Sequence, residues 1–180
     1  MKKTKKTEDS GVYVIFVTIL MILYQSLKSY TFPIFETRLS YSLFLLPFSF
    51  YIIKFIHNRF DYKKAVAAIA ISAVTFVCFT SIISYILHQQ LYLMPLSGEF
   101  CGYVASQFLF VSLLVHYKKH KNYMTTLSIM MFSLLIFQLF QTMTLLDTIT
   151  FRFFMTTVFT TLFFQLIICL ILGGLDKKEQ

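Results

Sequence analysis

Residues 65–87 read AVAAIAISAVTFVCFTSIISYIL, from Ala65 to Leu87, without one charged side chain. About 20 mostly apolar residues in a helix cross the hydrocarbon of a bilayer. A strand of a membrane barrel would instead alternate in polarity over ~10 residues, and this run does not alternate. Lys63-Lys64 stand before it and His88 after it, so the run is bounded by polar groups at both ends. It reads as a transmembrane helix.

Working outward, six segments have this character: 12–32, 39–57, 65–87, 97–116, 123–146 and 151–174. Short connections separate them, punctuated by the Pro33 region, by Tyr62-Lys63-Lys64 and by Lys118-Lys119-His120-Lys121. The expected fold is an all-α membrane protein, a bundle of six transmembrane helices over 12–175. It is flanked by a basic tail at 1–11 and a short tail at 176–180. The start, MKKTKKTEDSG, resembles the charged head of a signal peptide. No small-residue cleavage site follows Leu27, so the first apolar run is read as a retained helix.

Composition agrees. The chain is 57% hydrophobic and 13% charged, against roughly 45–50% and about 25% in soluble domains. Its 22 Phe and 11 Tyr exceed what one soluble core could hide, whereas lipid solvates the outward faces of helices. The net charge of +8 does not point to nucleic acid, because the Lys and Arg side chains cluster in the connections. That placement is typical of loops facing anionic lipid.

The same charges set a direction. Lys2, Lys3, Lys5 and Lys6, then Lys54, Arg59, Lys63 and Lys64, then Lys118, Lys119 and Lys121, then Lys177 and Lys178 fall on one side. Lys28, Arg38 and Arg152 fall on the other, so thirteen of the 16 basic residues share a side. Positive loops stay in the cytoplasm, which predicts both termini inside an inner (plasma) membrane.

Within the spans the polar groups are amides. Gln25, Gln107, Gln138, Gln141 and Gln165 lie in apolar surroundings, and each carries a carbonyl acceptor and two N–H donors. Gln138 and Gln141 are three apart and share a helical face with Thr142, while Ser106 precedes Gln107 near the middle of the fourth span. Such groups either bond neighbouring helices or line a solute site. None of the eight acids lies mid-span, so an ion-driven cycle would need Glu99, Asp147 or neutral oxygens alone. Lys54 either snorkels to the headgroups or faces the bundle interior. Pro47 falls inside the second span, where it frees a backbone carbonyl and invites a kink. The four His are scattered, and Cys78, Cys101 and Cys169 show no CxxC spacing, so neither a metal site nor a disulfide framework is expected. The sequence carries no GxSxG, P-loop or HExxH pattern; no catalytic residue and no cofactor are expected.

Three stretches carry a resemblance. Pro47-Phe48-Ser49-Phe50 through Lys63-Lys64-Ala65 is similar to a Pro-x-Ser/Thr-Phe start that ends in a basic pair before Ala. Gly102-Tyr103-Val104-Ala105-Ser106-Gln107 is similar to Ala-Tyr-x-x-Ser-Gln. Ser133 through Gln138, Gln141 and Thr142 is similar to Ser-Thr-x-x-Ser-Gln-x-x-Asp-Thr. Over about residues 40–175 the chain thus resembles the queuosine precursor transporter (VUT) family, six-helix carriers of deazaguanine-type precursors. The resemblance implies a nucleobase-like solute bound by Gln107, Gln138, Gln141, Ser106, Ser133, Thr142, Ser49 and Lys54. The departures concern charge: Lys54 stands where the family has Asp, Asn58 replaces the following acid, and Asp61 stands in place of a glycine. Leu109 and Gln141 also stand in place of Asp, and the arginine before the third motif is missing. Loss of charged acceptors would weaken the usual ligand by several kcal/mol.

Expected partners are membrane lipids and a small nucleobase-like molecule, with a homodimer left open and nucleic acid not expected. Two further roles remain open at this point: a substrate-binding membrane subunit driven by a partner ATPase, and a non-transporting protein that assembles or regulates a partner.

Overall fold

A computed structural model describes residues 2–34, 37–86, 93–117, 123–143 and 151–176. The Lys118–Lys121 loop, Glu36, His88, Asp147 and the Lys177-Lys178 end lie outside the described residues. Six helices are present among them: α1 (Lys2–Leu27), α2 (Leu45–Arg59), α3 (Tyr62–Ile86), α4 (Leu93–His116), α5 (Tyr123–Met143) and α6 (Phe151–Asp176). Five of these, all but α2, are long and apolar enough to cross a membrane.

The burial pattern is that of a protein solvated by lipid. On α6 the buried face carries Thr161 and Gln165, whereas Phe159, Phe163, Ile167 and Ile171 point outward. On α5, Ser133, Gln138 and Thr142 are buried while Met124, Phe132 and Phe140 are exposed. Polar groups turn inward because no water is available to satisfy them in hydrocarbon, and apolar rings lose nothing by facing acyl chains. The chain is therefore a multi-pass helical membrane protein.

One expectation about a segment end is corrected. Helix α1 starts at Lys2, and its apolar part, Ser10–Leu27, agrees with a span begun near residue 12. The first span was read to residue 32, but α1 stops at Leu27. Thr31–Ile34 (β1) and Thr37–Ser40 (β2) instead pair antiparallel, Phe32 opposite Leu39 and Pro33 opposite Arg38. Apolar Phe32, Ile34 and Leu39 are equally at home in a strand, so hydropathy alone could not separate the two.

A short 3-10 turn, Tyr41–Phe44, leads from the hairpin into α2. The Ser40 hydroxyl caps it by accepting from the Ser42 N–H at 3.2 Å. Pro47 consequently sits in the first turn of α2 rather than inside a long helix. Its missing N–H would have had no helical partner there, so no interior kink is required. At the other end Asp61, immediately before α3, accepts from the Tyr62 N–H at 2.6 Å.

Helix α2 is the hub, since it touches all five other helices, and α4 packs most extensively on α5. Leu46, Phe50, Ile53 and Ile56 recur every three or four residues on its buried side, the spacing of one helical face. The α4–α5 approach depends on Gly102, where an added Cβ would lie 2.9 Å from Phe140 Cβ and 3.3 Å from the Phe137 carbonyl oxygen.

Candidate functional site

Three polar clusters lie in this apolar bundle. The first joins α2 to α4. Gln107 is fully buried, and its Nε2 donates to Ser49 Oγ at 2.9 Å, while the Ser49 hydroxyl donates to the Leu46 carbonyl at 2.8 Å. That carbonyl belongs to the first turn of α2, so a hydroxyl one turn on meets it directly. The Gln107 Oε1 has no partner among the described residues. One turn earlier on α4, Tyr103 shares a 2.8 Å hydrogen bond with Ser72 of α3.

The second cluster lies near the start of α4 and the end of α5. Lys28, just past the end of α1, places Nζ 2.5 Å from Glu99 Oε1. The Gln141 amide donates to that same Glu99 oxygen at 3.3 Å and reaches the Tyr24 hydroxyl at 3.4 Å. Ser42 and Ser40 share a 2.8 Å bond, and the Ser40 hydroxyl lies 3.2 and 3.0 Å from the Leu27 and Lys28 carbonyls at the end of α1. One connected network therefore ties α1, the 3-10 turn, α4 and α5. Glu99 is 3% exposed, and its Oε2 has no partner among the described residues.

One turn before Gln141 lies Gln138, 2% exposed, whose Nε2 has no partner among the described residues. The Thr142 hydroxyl donates to the Gln138 backbone carbonyl at 2.5 Å, so Thr142 holds the helix backbone rather than presenting its hydroxyl. Ser106 and Ser133 do the same, donating to the Tyr103 carbonyl at 3.0 Å and to the Ile129 carbonyl at 2.9 Å. Their hydroxyls are committed to their own helices, a common fate of Ser and Thr inside apolar spans.

Of the residues singled out from sequence, the structure brings Gln107 and Ser49 together and sets Gln141 against Glu99. Lys54 stands 5.7 Å from the Tyr51 ring centroid on its own helix. Gln138 and Gln141 divide: one is unmatched, the other belongs to the Glu99 network.

The chain matches no protein family, no curated protein and no solved structure. Function must be read from the groups themselves.

Sequence reasoning missed the Lys28–Glu99 pair, although both residues are rare charges beside apolar runs. It also left out Thr161 of α6, 1% exposed, and named Gln165, 0% exposed, only as one of five span glutamines. Thr161 Oγ1 and Gln165 Oε1 have no partner. The signal available was a Thr and a Gln four apart in a span, hence on one face. Among the described residues no group of three or more His, Cys, Asp or Glu is placed to hold a metal ion.

Proposed function

We propose that the chain is a six-span inner-membrane carrier, with both termini cytoplasmic, that binds a small polar ring compound within its bundle. The observation that carries this reading is the pair of unmatched amide atoms, Gln107 Oε1 and Gln138 Nε2. One is an acceptor and the other a donor, each buried on one of the two most closely packed helices. A buried polar atom without a partner costs about 1–3 kcal/mol, and a membrane protein that keeps two of them gains when a ligand supplies the missing bonds. A lactam or amidine edge, as in a deazaguanine-type base, offers a donor and an acceptor side by side.

The sixth span is supported by length. The 3-10 turn of four residues and α2 of fifteen together rise about 30 Å, the thickness of the hydrocarbon. Non-helical backbone at such depth is tolerated where protein covers it, and the 3-10 turn packs on α1, α2 and α6. Helices interrupted in this way line the solute sites of many carriers. The asymmetry of Lys and Arg supports the cytoplasmic placement of both ends.

The test is a thermal-stability screen of purified protein against nucleobases and deazapurines, since a binder raises the melting point by mass action. Uptake of a labelled queuosine precursor in cells that cannot make it then separates transport from binding. A stabilising ligand whose effect disappears in Gln107→Leu and Gln138→Leu is the expected result. No shift with any compound, and uptake no greater than vector with the protein present in the membrane, would reject the reading.

A further inference from the structure

At one end of the bundle α1 and α2 are joined through an arginine set among aromatic rings. Arg59, the last residue of α2, donates from Nη1 to the Tyr13 hydroxyl of α1 at 3.3 Å. Its guanidinium carbon lies over the Phe55 and Phe60 rings, 5.7 and 5.8 Å from their centroids. Tyr13 packs on the same two rings, at 4.8 and 5.9 Å. Stacking of this kind suits the planar, weakly hydrated guanidinium and holds its fork in one orientation. Tyr13 stands near the start of the apolar stretch Ser10–Leu27, and α3 begins at Tyr62. The cluster therefore lies where three apolar segments reach the headgroup level.

The polar groups here are donors. Arg59 is exposed and carries five N–H groups, and the Tyr13 oxygen that accepts from it keeps an O–H to donate. The surrounding charge is one-sided. Between residues 54 and 64 stand Lys54, Arg59, Lys63 and Lys64 against one carboxylate, Asp61, whose Oδ1 accepts from the Tyr62 N–H. Lys63 and Lys64 are exposed in the first turn of α3. On α1 the turns ahead of Tyr13 hold four lysines against Glu8 and Asp9. Deeper in the membrane the flanks turn apolar. Phe16, one turn along α1 from Tyr13, is 53% exposed, and Phe48, two turns along α2 from Phe55, is 40% exposed.

We propose that Arg59 and Tyr13 clamp the phosphodiester of one anionic phospholipid, whose acyl chains lie along Phe16 and Phe48. The two donors, 3.3 Å apart, suit the two unesterified oxygens of a phosphodiester, and the guanidinium makes the charge-assisted bond. The surrounding cations select the headgroup. A glycerol headgroup leaves the lipid net negative, whereas the ammonium of choline or ethanolamine would face four cations. Inorganic phosphate presents the same oxygens but has no chains to hold it beside the exposed rings. Diffuse attraction between basic loops and anionic lipid acts anywhere along the surface; the stacked fork fixes one lipid at one place. This proposal goes beyond the carrier reading and does not depend on it.

Full-length protein in detergent micelles is given equal amounts of phosphatidylglycerol and phosphatidylcholine with identical chains. The lipid kept on the protein is read by native mass spectrometry. Wild type should keep one phosphatidylglycerol, favoured about fivefold over phosphatidylcholine, the ratio that ~1 kcal/mol of headgroup attraction produces. Arg59→Lys keeps the charge but loses the fork and its stacking, so it should retain severalfold less of either lipid. Tyr13→Phe keeps the ring and removes the O–H; it should weaken retention too, and it serves where Arg59→Lys fails to yield folded protein. Lys63→Gln with Lys64→Gln should narrow the headgroup preference while one lipid stays bound. Equal retention of the two lipids by wild type overturns the proposal. So does retention as in wild type by both Arg59→Lys and Tyr13→Phe, which leaves only diffuse attraction between lysines and lipid. Thermal melts supply the last arm: inorganic phosphate that stabilises the protein as much as phosphatidylglycerol does would assign the clamp to a soluble anion and overturn the lipid. None of these outcomes bears on ligands that act through Gln107 and Gln138.

Discussion

Lys28 Nζ and Glu99 Oε1 stand 2.5 Å apart, joining the chain just beyond α1 to the first turns of α4. The pair is lopsided: the Lys28 side chain is 37% exposed and the Glu99 side chain 4%. The carboxylate is the committed partner, because it is buried, whereas the ammonium can turn outward. Removing the cation therefore strands a buried charge, and removing the charge merely frees a surface lysine.

That asymmetry gives the first prediction. Lys28→Met, which keeps the aliphatic stem, should cost about 1–3 kcal/mol. Glu99→Gln should cost less, since a neutral amide can still bond Gln141. In the double variant the cost of Lys28→Met should largely vanish, a coupling read from thermal melts as a double-mutant cycle. Additive costs would mean that the two groups do not interact in the protein.

A second prediction concerns Gln138. Its buried Nε2 lacks a partner, so Gln138→Leu removes an unmet donor and should raise stability of the ligand-free protein by roughly 1 kcal/mol. The same change should abolish any ligand-induced shift in melting temperature. Stability gained together with binding lost is the pattern expected where a site is kept at the expense of packing. Loss of stability would show that the amide is matched inside the resting bundle.

The helix contact at Gly102 supports a third. A Cβ there would fall 2.9 Å from Phe140 Cβ, against backbone-anchored atoms that cannot swing away. Gly102→Ala should destabilise by about 1–3 kcal/mol as α4 and α5 are pushed apart. Gly173→Ala is the control: the new methyl would meet the ring of Tyr123, a half-buried side chain at the start of α5 that can rotate aside. It should cost clearly less, as measured by thermal unfolding of the two variants.

Orientation can be read chemically. In a cysteine-free background, a cysteine at Tyr30 should react with a membrane-impermeant thiol reagent in intact cells. One at Asp61 should react only after permeabilisation. The reverse labelling would place the positively charged loops outside, against the charge rule.

What the sequence disclosed, and what it withheld, divides along a physical line. The run at 65–87 matches α3 (Tyr62–Ile86) within a few residues, because crossing length and lack of charge are properties of a continuous stretch. The hairpin at 31–40 was hidden, since Phe32, Ile34 and Leu39 satisfy a strand and the edge of a span alike. Lys28 with Glu99, and Gln107 with Ser49, are separated by many residues and meet only once helices pack, so no local pattern announces them. Ser106, Ser133 and Thr142 were singled out for their hydroxyls. Those hydroxyls bond their own helix carbonyls, a choice the backbone makes and the letter code does not show. Gln165 was visible as one more amide, but its aromatic neighbours come from the hairpin, a distant part of the chain.

The brevity of α2 has a consequence for how the protein is made. Fifteen helical residues rise about 22 Å, too little for a machine that sorts nascent segments one at a time by hydrophobic length. Only Phe60 and Asp61 separate α2 from α3, whose long uncharged run enters lipid readily. The two are expected to partition together as a helical hairpin, α3 drawing its shorter neighbour in after synthesis has passed it. Charges introduced into the middle of α3 should then strand two segments at the insertion step, not one.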